Sequence, residues 1–298
     1  MCRRIIPFLG IDIDRDAPFP HLGVSHAVSL PLKPKIKDLT DPEQCFTYFG
    51  TITGLEGLIP ILKDYSIPTV FFFEGRALEQ FRDNEKNLLK RISDQSLASY
   101  GIHGYDHEDL LGKDSGVPLT EKEQQNIFTT SKNHVQTILK KSADGFRAPY
   151  TRITSSSLNI LEKLDFKFDS SLYSRTSTIP SPYQIGQLWE IPIIQIPNGP
   201  SFYLWALFER KRNIQNILNI LKSLTIQKDP HSEEARGTIP LIWSINFHPW
   251  HISYNIGKAR YLRNSEVNEN LYLLQQVIDF LSSIYPSSSK SITQLLMI

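Results

Sequence analysis

The sequence is poor in cysteine: only Cys2 and Cys45 occur in 298 residues. Two thiols make no disulfide framework, and neither sits in a Cys-x-x-Cys metal spacing, so a reducing compartment is the simpler reading. Long apolar runs are also missing, and nothing approaches the ~20 residues that span a bilayer. Arg3 and Arg4 precede an apolar stretch, Ile5 to Ile11, but it holds Pro7 and meets Asp12 without a small-residue cleavage site. It reads as a buried strand rather than a signal peptide, so a cytoplasmic protein without an integral membrane segment is expected. Strong charge of one sign is absent as well. Net charge is +1, and the densest basic cluster, Arg210-Lys211-Arg212, reads as a solvated helix start, so nucleic acid is not an expected partner. There is no low-complexity run and no internal repeat. No signal for an oligomeric state is present.

What is there is an alternation of strand-like and helix-like patterns. Apolar runs at 5–13, 69–73, 97–102, 145–147, 166–169, 189–194 and 239–247 read as strands. Between them, Leu55, Leu58, Ile59 and Leu62 fall at helical spacing, with Pro60 expected to bend that helix. A helix from Ala77 to about Ile92 follows, and Thr120 with Glu123 resembles a capping box opening a long helix to Leu139. Leu158, Leu161 and Leu164, then Ile214, Ile217, Leu218 and Leu221, then Leu271, Leu274, Ile278 and Leu281 make further helical faces. About seven such alternations predict a parallel α/β fold. An open doubly wound sheet usually shows a Gly-rich phosphate loop after its first strand. Here that strand ends in Asp12-Ile13-Asp14, so a closed barrel is the better expectation, as one domain over residues 1–298. Two connections, about 15–50 and 172–187, are too long for plain turns and are expected to carry binding work.

In such a barrel the chemistry gathers at the C-terminal strand ends. Polar groups stand where five apolar runs end: Asp12 and Asp14; His103 with His107; Arg147; Asp169; and His248. Two histidines four apart share one face of a helical turn and can converge on one ion. With a carboxylate they leave coordination positions open for water and substrate. Asp12 and Asp14 share a strand face, so one can bind the metal while the other takes a proton. Arg147 would orient Asp12 as an ion-pair partner. His248 suits a general acid, with Asp169 as its partner. Zinc is the default for this ligand set, with cobalt, nickel or iron also fitting. His21, His26, His134 and His231 read as ordinary loop or helix residues, and Asp16 as a loop residue.

In order, Gly-Ile-Asp-Ile-Asp-Arg-Asp (10–16), Val-Phe-Phe-Phe-Glu-Gly (70–75), Gly-Ile-His-Gly-Tyr-Asp-His-Glu (101–108), Gly-Phe-Arg-Ala-Pro-Tyr (145–150), Phe-Asp-Ser-Ser-Leu-Tyr (168–173) and Ile-Asn-Phe-His-Pro (245–249) resemble the motifs of the polysaccharide deacetylase family, also called the NodB-homology family or carbohydrate esterase family four. The resemblance implies a distorted (β/α) barrel of about seven units that hydrolyses an N-acetyl group from an amino sugar. It implies Asp12 as general base, Asp14, His103 and His107 as metal ligands, Arg147 as the group orienting the base, and His248 as general acid partnered by Asp169. The Tyr150 backbone N–H would stabilise the oxyanion. Two positions depart from the pattern. Ile13 separates two aspartates that are adjacent in many members, a spacing found in the family's intracellular branch. Asn246 stands where many members have a leucine lining the acetyl pocket, so a smaller acyl pocket, a more polar one, or one lined by Phe247 or Trp250 is expected instead. A small amino sugar, free or lipid- or nucleotide-linked, is the expected substrate rather than an extracellular polymer, with a formyl group or a cyclic imide as alternatives. The remaining alternatives are a non-haem iron oxygenase, disfavoured by ligand order and scaffold, and a carbohydrate-binding protein without catalysis, disfavoured by the full set of catalytic groups.

Overall fold

The computed structural model describes residues 5–16, 48–65, 67–113, 116–174, 182–194, 208, 214–226, 241–258, 260–284 and 290–296. Cys2, Cys45, His21, His26, His231 and the 210–212 basic cluster lie outside these residues, as does most of the connection at 15–50.

The strands are β1 (Ile5–Ile13), β2 (Thr69–Phe73), β3 (Ala98–Ile102), β4 (Gly145–Phe146), β5 (Phe168–Asp169), β6 (Tyr183–Ile185), β7 (Leu188–Glu190) and β8 (Leu241–Phe247), with a small separate hairpin of β9 (Tyr254–Asn255) and β10 (Arg260–Tyr261). The main sheet runs β6-β7-β5-β4-β3-β2-β1-β8, parallel throughout except for the β6–β7 hairpin. The sheet curls. Isolated bridges from Tyr173 to Ile193 and from Ile193 to Ser244 tie the segment after β7 back to β8, at the other edge. The expected distorted barrel is therefore what the chain forms.

The helices are α1 (Phe49–Asp64), α2 (Gly75–Asn84), α3 (Lys86–Ser93), α4 (Glu121–His134), α5 (Ser155–Lys163), α6 (Ile214–Ile226), α7 (Asn264–Ile284) and α8 (Ile292–Leu296). The capping box is formed: Thr120 Oγ1 accepts from Glu123 N at 3.3 Å, and Glu123 Oε2 accepts from Thr120 N at 2.8 Å. Three expectations change. The single helix from Ala77 to Ile92 is two helices, broken at Glu85 (φ −127°, ψ 42°), where Asn84 turns its amide onto Gln80 O. The helix after Thr120 widens into a π turn at Val135–Leu139 and ends at Lys140 in the left-handed region. Part of the connection at 172–187 is strand β6, whose three residues are too short to show a period.

Alternation along the strands divides the core in two. Odd-numbered side chains of β1 and β2, with Ile245 and Phe247 of β8, pack outward against the helices. Ile6, Phe8, Val70, Phe72, Phe168 and Ile242 point inward and pack with Ile292 and Leu295 of α8. Thr293 N donates to Ser99 Oγ at 3.2 Å, seating α8 at the N-terminal end of the strands. The inward face thus begins apolar and becomes polar towards the strand C-termini, where Gly10, Asp12, Ser244, Asn246 and the first residues past each strand lie.

Candidate metal and hydrolytic site

Asp14, His103 and His107 come together. One ligand atom from each lies within 4.8 Å of the others, and all three residues are buried. His103 leaves the end of β3, and its Nδ1 lies 2.9 Å from Arg147 O. A carbonyl only accepts, so Nδ1 carries the proton and Nε2 the lone pair. That Nε2 is buried with no protein partner, and so is Asp14 Oδ2. Buried polar atoms are normally paired, so two unpaired acceptors converging on one point fit a cation. Asp14 is held by its other oxygen: Oδ1 accepts from His248 Nδ1 at 3.0 Å and from Trp250 Nε1 at 3.1 Å. His248 Nδ1 is equally close to Oδ2, but only Oδ1 is aligned as an acceptor. His107 Nε2 lies 3.9 Å from Asp14 Oδ2. Two imidazoles and a carboxylate are the donor set of a divalent first-row metal with open positions.

His107 reaches the site by a different route from the helical turn expected. Residues 104–106 form a tight turn with Gly104 at φ +71°, and His107 itself is left-handed at φ +53°. Glu108 holds that turn by accepting from Tyr105 N (3.0 Å) and Asp106 N (2.9 Å). Burial, largely, pushes the Glu108 carboxyl up to about 7. Arg15 then ties the turn to β1. Its guanidinium donates to Glu74 Oε1 at 2.9 Å and also pairs with Asp106.

Arg147 and Asp12 meet as expected. Arg147 Nη1 donates to Asp12 Oδ1 at 2.8 Å, with both side chains buried. Arg147 also donates to Ser170 O (2.9 Å), Ser170 Oγ (3.0 Å) and Ser244 Oγ (2.8 Å), and stacks over the Phe72 ring at 4.2 Å. Gly10 allows this approach: a Cβ there would lie 2.5 Å from Arg147 Nη1. Sequence reading missed Ser170 and Ser244. The available signal was Ser244, a small polar residue on the same face of an apolar strand as His248.

Asp169 does not pair with His248. Its carboxylate accepts from Ser171 Oγ at 2.6 Å and from Ser171 N at 3.2 Å, and it stands beside Glu190, its register partner on β7. Burial raises both carboxyls, Glu190 well above its usual range, and the charge of Asp169 pushes Glu190 further the same way. Ser171 Oγ in turn accepts from Ala148 N at 2.8 Å, so Asp169 braces the loop after β4. That loop carries Tyr150 and Thr151, both left-handed at φ +57° and +55°. Two successive strained residues are a common feature of site loops. The Tyr150 ring meets His107 edge-on at 4.6 Å.

Phe247 and Trp250 are not wall residues of a pocket. Phe247 faces the helices, and Trp250 is fully buried with its indole N–H on Asp14. Burial lowers His103 below its ordinary value, against the pull of Asp12 and Asp14. Burial acts the same way on His248, but Asp14 outweighs it and the net shift is upward.

Comparison with known proteins agrees with this geometry. Residues 50–168 match the family model described as polysaccharide deacetylase. A peptidoglycan deacetylase from Helicobacter pylori is 26% identical over 141 residues, 47% of this chain and 44% of that protein. The chain thus spans less than half the length of the curated relatives it matches. A Mycobacterium smegmatis structure described as a polysaccharide deacetylase shares the fold at TM-score 0.57 and 16% identity, covering 95% of this chain and 92% of that one. An allantoinase shares it at TM-score 0.59 and 14% identity, covering 93% and 84%. The matched segment holds His103, His107, Arg147 and Tyr150, while the barrel brings Asp12, Asp14 and His248 to them from outside it. Residues 50–168 thus resemble the polysaccharide deacetylase family model, and the fold built around them is shared with a solved structure of that description.

Proposed function

We propose that this chain is a metal-dependent hydrolase that removes an N-acetyl or similar N-acyl group from an amino sugar, free or linked to a lipid or nucleotide. The observation that carries the reading is the pair of unpartnered buried acceptors, Asp14 Oδ2 and His103 Nε2, beside the Asp12–Arg147 pair. The likeness to a peptidoglycan deacetylase supports an N-acetylated amino sugar.

Asp14, His103 and His107 would hold the cation. When bound, a divalent cation supplies Lewis acidity towards the amide carbonyl and lowers the pKa of water at that position. Zinc is the first choice, with cobalt, nickel and iron as the others. Asp12 takes the proton from the attacking water, and Arg147 fixes the direction of that carboxylate. The carbonyl oxygen becomes negative in the transition state, where the Tyr150 N–H supports it. His248 then protonates the departing nitrogen, because an amine leaves poorly as an anion. Nδ1 is engaged with Asp14, so Nε2 is the nitrogen that donates. Asp169 acts at one remove, by positioning the loop of Arg147 and Tyr150.

The test is release of free amine from a panel of N-acetylated and N-formylated sugars by the zinc-loaded chain. Turnover of an N-acetylated member is expected, with loss of at least about 10²-fold in Asp12→Ala and in His248→Ala. Release from none of the panel overturns the reading, and near wild-type turnover in either variant overturns its role assignment.

A further inference from the structure

Asn246 is fully buried, yet neither Nδ2 nor Oδ1 has a hydrogen-bond partner. An amide in that state is costly, because it loses water and gains nothing in return. Its position says what could satisfy it. On β8, alternation places Asn246 on the inward face between Ser244 and His248. Ser244 Oγ is bonded to Arg147, and His248 Nδ1 to Asp14. Across the ladder its register partner is Gly10, whose missing side chain leaves room for the Arg147 guanidinium. Asn246 therefore borders both the base pair and the ligand set, one step further into the barrel than His248.

Depth restricts what can reach it. Asp12 and His248 are 2% and 5% exposed, and Asn246 is 0% exposed. A sugar is too large and too polar to enter past them, so the part of a substrate that extends inward from the reacting carbonyl is the acyl group. A plain methyl there would leave both the donor and the acceptor of Asn246 unpaired.

We infer that Asn246 is a specificity-determining residue that hydrogen-bonds a polar substituent, a hydroxyl or its equivalent, on the acyl group. This rests on the proposed deacylation for the direction of the substrate, but not for the existence of the polar subsite. A hydroxyl on the carbon next to the carbonyl can donate to Oδ1 and accept from Nδ2, and no other group among the described residues does either. Sites built to bond a hydroxyl discriminate strongly against analogues lacking it.

The test compares N-glycolylglucosamine with N-acetylglucosamine, neutral amides that differ by one hydroxyl. Binding of each to the metal-free full chain is measured by titration calorimetry, for wild type and for Asn246→Leu. Wild type is expected to prefer the glycolyl sugar by about tenfold or more, and the variant to lose that preference. Asn246→Ala repeats the comparison if the leucine variant does not fold. Equal affinity in wild type, a preference that survives substitution, or binding of neither sugar overturns the inference. The two readings fail separately. Glycolyl selectivity without amine release from any sugar sinks the deacetylase and leaves the subsite. Deacetylation with equal binding of the two sugars does the reverse.

Discussion

Gly10→Ala is the most informative single change, because it adds one methyl to a fixed guanidinium. The new Cβ would lie 2.5 and 2.6 Å from Arg147 Nη1 and Nη2, and 2.7 Å from Ser244 Oγ. Real carbon atoms do not approach that closely, so Arg147 must move. It is fully buried and bonded at four points, including the 2.8 Å contact with Asp12. Losing the Asp12 contact and one other costs about 3–5 kcal/mol, because a buried charge pair is broken rather than removed. For a chain of this size that lowers Tm by roughly 5–8 °C. Activity falls by about 10²-fold, since Asp12 loses its orientation. The assay is thermal unfolding by circular dichroism together with turnover on the best sugar of the panel. Ser244→Ala alone costs about 1.5–3 kcal/mol, the value of one hydrogen bond to a charged group. The double variant falls short of the sum, because removing the hydroxyl opens part of the space the methyl needs. Wild-type stability and turnover in Gly10→Ala would refute the reasoning, as would strict additivity in the double variant.

Other expectations follow from the same contacts. The chain binds one zinc ion, and His103→Ala or Asp14→Ala abolishes stoichiometric binding in metal analysis after dialysis, while His134→Ala does not. In Gly54→Ala the added Cβ would meet Pro249 O at 2.0 Å, wedging α1 away from the turn after His248. A backbone oxygen cannot step aside, so a loss of about 3 kcal/mol or more is expected in denaturant unfolding. Glu190 holds its proton in the folded state far above the value of an unfolded chain. Unfolded chains therefore release that proton first as pH rises, and stability falls upward from about pH 4.5. Glu190→Gln flattens this slope, and an unchanged slope in pH-dependent unfolding would show that the Asp169–Glu190 pair is not the proton holder.

The site was legible because its parts stand at strand ends, where a buried polar residue cannot hide in the pattern. Asp12, Asp14, His103, Arg147 and His248 each interrupt or follow an apolar run, and the structure puts them all at one end of one barrel. Pairing was less legible than placement. Asp169 was expected beside His248, yet it faces Glu190, because cross-strand register is set by three-dimensional neighbours that no single run encodes. Trp250 and Phe247 were expected on a pocket wall. Phe247 lies one residue out of phase with Asn246, so alternation alone could have turned it to the helix side. Trp250 sits on a short 3₁₀ turn, where no period predicts direction. The route of His107 was missed for the same reason: a left-handed histidine leaves no signature in the sequence.

Asp16 has one more consequence. Its carboxylate accepts from Gly50 N (2.6 Å), Thr51 N (2.8 Å) and Tyr261 OH (2.6 Å), which pins the first turn of α1 to the end of β1. The two ends of the intervening stretch, residues 17–47, are thus fixed beside each other by one side chain. Chain added between them changes closure entropy only slowly with length, about 0.6 kcal/mol per doubling. The positions of Asp12 and Asp14 are therefore insulated from the length of that stretch, and added sequence there leaves the strand-end chemistry in place.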